Sequence, residues 1–400
     1  MAGGHQSQPL VVKKFEPSQT LKTVALALTA IGAVGFAFGF LRNPERMWPA
    51  YLVAYFFVSC LGLGGLFFVA INHMAKAGWS VSIRRISEGM SSFIPVMVGG
   101  SLVLLLGLKT LYPWANPEEV AHSHLLQMKS AYLNTGFLIV RLLIFGVGML
   151  LFARKIVGNS LKQDQTGDPE LTHSNVGWSI GWTLFFALSF SLFSVDLLMT
   201  LLPSWYSTIF GIYCFAGLFQ SSLAMLILIL IYLKRAGYIS GYYTEDHIHD
   251  VAKYMKGFTI FWAYIAFSQF MLIWYANIPE ETEFYLMRSQ NGWTAISVSL
   301  IVFKFIVPFL ALLPRAWKRN EAHLVMVSLL ILVMQYLDVH WMVLPNFNDN
   351  VFTFGIYEAA MLAGFLGLFL LSIMRFYQKN SLVAIKDPRM DEALHHHVTY

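Results

Sequence analysis

Charge is what this 400-residue chain has least of. Only 12% of its residues are Asp, Glu, Lys or Arg against 57% hydrophobic, far too little polar surface to coat a water-soluble body of that length. Cysteine is nearly absent too. Cys60 and Cys214 stand alone, which excludes iron–sulfur ligation, c-type haem attachment and paired zinc thiolates within the chain. No glycine-rich phosphate loop follows a strand-like run, and no nucleophile stands beside a base at a legible spacing. No basic patch interleaved with aromatics points to nucleic acid. Gly/Ser- and Pro-rich linkers and domain-sized loops are also missing, so residues 1–400 read as one membrane domain.

What is present in quantity is long apolar sequence. Phe258 to Ala276 runs uncharged for nineteen residues and stops at Asn277-Ile278-Pro279-Glu280-Glu281-Thr282. At about 1.5 Å per residue the run matches the hydrocarbon core of a bilayer. Similar windows occur at 21–41, 50–74, 87–111, 134–153, 178–201, 208–233, 257–276, 294–313, 323–342 and 352–374. These runs lack the alternation of barrel strands, and lipid offers no partner to an open backbone, so the expected fold is all-α with ten transmembrane helices. The first span follows Lys13, Lys14 and Lys22 and is read as a retained helix, not a cleaved leader.

An even number of crossings puts both termini on one side. The amino-terminal segment, the even-numbered loops and the tail carry 20 of the 27 Lys and Arg residues, the odd loops only four, so residues 1–20 and 375–400 are expected in the cytoplasm. The net charge of +5 then belongs to the flank that meets anionic lipid. Residues 75–86, AKAGWSVSIRRI, have the mixture of an interfacial segment or a plain basic loop. The outward-facing loops 112–133, with His122 and His124, and 277–293, with Glu280 and Glu281, suit either docking of an extracytoplasmic partner or simple solvation.

Ionisable residues inside the spans need a reason, since charge at that depth costs several kcal/mol unless paired or hydrated. Arg141, Asp196 and Glu358 fall about 7 to 10 Å below the outer surface and Lys304 about 15 Å down by helical rise. His73 and Glu88 mark the cytoplasmic side; Asp338, His340 and Lys109 mark the outer side. Arg141 has either acid, Asp196 or Glu358, as a partner. One reading is a proton path or the polar wall of a quinol pocket. The other is a set of structural ion pairs, with Gln220, Gln269 and Gln335 carrying water between rungs or joining helices. His73 and His340 lie at opposite ends of their spans, which argues against a bis-His haem, and no metal site is assigned. His395-His396-His397 sits in the tail, read as mobile and given no function.

The segments YIAFSQFMLIWYANIPEETEFYLMR (264–288), FSLFSVDLLMTLLPSWYSTIFGIYCFAG (190–217), AGWSVSIRRISEGM (77–90) and LDVHWMVLP (337–345) resemble the ActF-type membrane subunit of bacterial alternative complex III. ActC and the NrfD or polysulfide-reductase-type membrane subunits are more distant. The resemblance implies two four-helix bundles, spans 2–5 and 6–9, flanked by spans 1 and 10, in the bacterial cytoplasmic membrane. It implies an assembly that oxidises quinol and passes electrons to extracytoplasmic haem c and iron–sulfur subunits, toward cytochrome c or a terminal oxidase. This chain would bind no cofactor itself, with menaquinone or ubiquinone nearby. Where that family has Asp-Trp and then an acid and a His, this chain has Asp196-Leu197 and Leu202-Pro203-Ser204-Trp205. The departure favours a scaffold with a proton half-channel built on Arg141, Asp196, Lys304 and Glu358. The alternatives are a quinol-binding subunit using Asp338 and His340, or a stand-alone ion transporter.

Overall fold

The computed structural model describes residues 12–347 and 350–398; residues 1–11 of the expected amino-terminal segment and 399–400 of the tail lie outside the described residues. Its ten long apolar helices are α1 (Gln19–Arg42), α2 (Pro44–Met74), α3 (Gly78–Leu111), α4 (Thr135–Thr166), α5 (Glu170–Leu201), α6 (Phe210–Arg235), α7 (Glu245–Ala276), α8 (Trp293–Ala311), α9 (Glu321–Asn346) and α10 (Ile356–Lys379). Each expected span is there, and among the described residues there is no strand. The chain is a multi-pass membrane protein whose ends share one face, here called the terminal face.

Local chemistry sets the boundaries. Asn43 closes α1 and caps α2 through a hydrogen bond from the Arg46 amide to its side chain, so the two helices turn about one residue. Asn277 ends α7 in the left-handed region (φ 49°), and Pro279 opens a short helix, Pro279–Met287, with Glu280 and Glu281 in its first turn. Four helices, α3, α4, α5 and α7, run well past their apolar windows, each at its terminal-face end. Hydropathy marks where lipid stops, whereas helices continue for as long as protein packs against them.

Within the first bundle α2 packs on α3 and α5, α3 on α4, and α4 on α5; in the second, α6 packs on α7 and α9, and α8 on α7 and α9. Helix α2 is the axis. It also touches α1, α6, α9 and α10, and 94% of its apolar window is buried against 17% for α1 and α8. The bundles meet where Phe67 of α2 packs on Phe215 and Phe219 of α6 and where Ser222 of α6 donates to the Cys60 carbonyl at 3.0 Å. Helix α1 clasps α10 through small residues; a Cβ on Gly32 would lie 2.1 Å from the Gly364 Cα.

Two expectations change at the terminal face. Residues 75–86 do not lie along a membrane surface: Arg84 and Arg85 are buried at the start of α3, where the carboxylates of Glu88, Asp164 and Asp387 draw them inward. Nor is the tail loose. Asp387 bonds Arg84 at 2.6 Å, Ala384 and Ala393 pack on Val81, Lys386 donates to the Gln165 carbonyl at 2.7 Å, and His396 meets Asp250 of α7 at 2.6 Å. The tail is a strap from the first bundle to the second.

Gly32→Val should force α1 from α10 and lower stability by about 1–3 kcal/mol, seen as a lower unfolding temperature in detergent; Gly158→Ala, facing open space, should not lower it. Asp387→Ala should release the strap, read as new protease cleavage between residues 380 and 398, and continued protection would contradict its role.

Candidate functional site in the second bundle

Lys304 is fully buried in α8. Residues Leu300–Ile306 around it form a π-helical stretch, a local widening that recurs at functional sites and here leaves the Lys304 carbonyl to accept from Gln220 at 3.3 Å. The Lys304 ammonium donates to Gln335 at 2.6 Å and to Asp338. Gln335 and Asp338 are three residues apart on α9 and therefore share a face. Asp338 accepts further bonds from the Tyr213 hydroxyl of α6 and from the Trp262 indole of α7 at 3.2 Å. The Lys304 ammonium stands over the Trp262 ring, 4.2 Å from its centre. All four helices of the bundle thus converge on one carboxylate, whose charge is answered by a cation and two neutral donors.

Tyr213 and Trp262 also form the floor of a cavity of about 740 Å³. Its walls are apolar and aromatic, from α7, the short helix Pro279–Met287, α8 and Trp341 of α9. Phe267, Trp274 and Ile301 line it and are also 63%, 62% and 56% exposed, so the cavity opens sideways between α7 and α8, toward the lipid. Its few polar groups are grouped. Gln269 accepts from Ser207 at 3.0 Å and donates to Tyr285 at 3.2 Å, and burial pushes the Tyr285 phenol up to about 12. Arg288 closes the same end. Volume, apolar walls and convergent polar groups are those of a small-molecule site.

The remaining sequence candidates fall elsewhere, in separate local pairs instead of one ladder. Arg141 on α4 takes Asp196 on α5 at 2.7 Å, with the Tyr132 hydroxyl on the same carboxylate at 3.0 Å. Burial and the Asp196 charge hold the Tyr132 phenol up at about 12. Glu358 belongs with Arg46, at 3.6 Å, and accepts the Gly355 amide at 2.7 Å. Glu88 pairs with Arg85 at 3.0 Å and Ser160 at 2.8 Å. His73 meets Asn175 at 3.4 Å. His340 does not join Asp338 in a pocket: two residues along a helix point to different sides, and His340 bonds the Thr353 carbonyl at 3.0 Å beside Trp293 and Phe352. Lys109 is exposed at the end of α3, away from the cavity. His122, His124 and Glu280 are exposed and Glu281 half-buried, on the face opposite the termini.

Sequence reasoning missed Tyr213, Trp262, Arg288, Arg46 and Tyr132, because aromatic residues and loop arginines are common in membrane chains. One signal was legible. Asp196 and Pro203 are seven apart, and so are Asp338 and Pro345, each set ending the fourth helix of its bundle, with the partner cation on the third helix. A scan against protein-family models and a search of curated proteins both find no match to this chain.

Removing one partner leaves a buried charge alone. Lys304→Met and Asp338→Leu should each cost about 3–5 kcal/mol, and the double substitution should recover most of the loss in thermal unfolding. Additive losses would contradict the pairing.

Proposed function

We propose that this chain is the membrane subunit of a quinol-oxidising respiratory assembly and that the cavity in its second bundle binds the quinol. The single observation that carries this reading is the cavity itself, open to lipid at its side and ending on Tyr213 and Trp262, which both bond Asp338. A lipid-soluble ring compound enters such a site without crossing water, and its hydroxyl meets a phenol already tied to a carboxylate. A hydroxyl donating to Tyr213 passes its proton there as Tyr213 passes its own to Asp338, leaving the quinol singly deprotonated and Asp338 neutral. Lys304 holds the carboxylate in place.

The reading shifts weight from a scaffold with a proton half-channel, favoured by sequence, to the quinol-binding alternative. A scaffold needs no lipid-facing cavity above a buried acid. The basic terminal face lies in the bacterial cytoplasm by the positive-inside rule. The opposite face, with Glu280, Glu281, His122 and His124, then meets extracytoplasmic iron–sulfur and multihaem cytochrome c subunits that accept the electrons. Resemblance supports these partners.

Purification from native membranes should bring down a multi-subunit, haem-containing assembly; a lone monomer would favour transport instead. Within that assembly Asp338→Asn should slow quinol oxidation by about 10² or more, and Tyr213→Phe should slow it while the subunit stays folded. Wild-type turnover in both would remove the cavity from the mechanism.

A further inference from the structure

Arg288 is a cation that nothing in the ion pairs above explains. It follows the short helix Pro279–Met287 in the loop before α8, is 2% exposed, and lines the cavity. Among the described residues, the titratable groups that bear on it are the phenols of Tyr285 and Tyr213, with no carboxylate. Three of its five N–H groups are taken by carbonyls: Trp341 at 3.0 Å, Phe284 at 2.7 Å and Met342 at 2.8 Å. The other two have no partner among the described residues. The guanidinium carbon lies 3.4 Å from the centre of the Phe284 ring and 4.9 Å from that of Trp341, so its position is fixed before any ligand arrives. Burial pulls its pKa down to about 9, still cationic at neutral pH. A buried cation without a counter-ion is costly, and planar paired donors suit an anionic oxygen.

We propose that Arg288 anchors an ionised oxygen on the ligand head group, so that the cavity prefers a lipid-soluble ring compound with an acidic hydroxyl over the same compound without one. The inference rests on the quinol reading and names the head-group chemistry that reading leaves open. A ring with oxygens on opposite edges presents a hydroxyl to Tyr213 and an already ionised oxygen to Arg288.

The test uses the full chain in phosphatidylcholine nanodiscs and two probes, a 2-hydroxy-3-alkyl-1,4-naphthoquinone and its counterpart lacking the hydroxyl. Binding is read by quenching of tryptophan fluorescence, since Trp262, Trp274 and Trp341 line the cavity. At a pH where the hydroxyl is ionised, the hydroxylated probe should bind at least about ten-fold tighter, and the advantage should vanish as pH falls and the hydroxyl is protonated. Arg288→Gln should erase the preference by weakening the hydroxylated probe at least about ten-fold more than the plain one, and Arg288→Lys should keep part of it. The wild-type titration stands even where a variant fails to fold. Equal affinity for the two probes, or a preference that survives Arg288→Gln, would leave Arg288 a staple between helix ends and overturn the inference alone. Failure of both probes to bind would overturn the quinol reading and the inference with it. Loss of both probes on adding phosphatidylglycerol would assign the anion to a lipid phosphate and overturn it as well.

Discussion

A charge buried among apolar helices must find its partner within a side chain's reach. That requirement fixes which helices are neighbours. Lys304 and Asp338 tie α8 to α9, Arg141 and Asp196 tie α4 to α5, and Arg46 and Glu358 tie the start of α2 to the start of α10. Apolar faces alone do not specify such pairings, because lipid tails solvate a leucine as well as another helix does. The paired charges supply the register that hydrophobicity leaves free, and the close glycine contact of α1 with α10 adds a steric register of its own.

The second bundle departs from compact packing at one place. Helix α8 is the shortest span at 19 residues and, with α1, the least buried; its middle is π-helical where Lys304 turns inward. The space left between α7 and α8 is walled by aromatic rings, and its floor is the pair of residues that hold Asp338. Shape and chemistry therefore arise together. Widening the helix to bury Lys304 aims the cation at the acid, and the acid gathers the phenol and indole that a ligand meets first.

At the terminal face the same rule works through segments that composition gives no reason to order. Arg84 and Arg85 are buried because Glu88, Asp164 and Asp387 surround them, and Asp387 arrives from the far end of the chain. The strap of residues 380–398 thus answers charge on the first bundle while His396 reaches Asp250 on the second. Trp79 stacks on Tyr254 and meets the His396 ring of the strap at a tilt.

Sequence alone determined the solvent, the helix count, the common side of the termini and the residues that needed partners, because transfer of charge and apolar surface between water and lipid depends on composition over short windows. It also ruled out thiolate-bound clusters by counting. Which charges met was decided only by the tertiary structure: Asp338 went to Lys304, 34 residues away in the chain, Glu358 went to Arg46, and His340 turned to the other side of α9 from Asp338. The cavity was illegible for the same reason. Its walls are ordinary aromatic residues of four separate segments, and neither the packing gap between α7 and α8 nor the burial of Arg288 beside it exists until the helices are side by side.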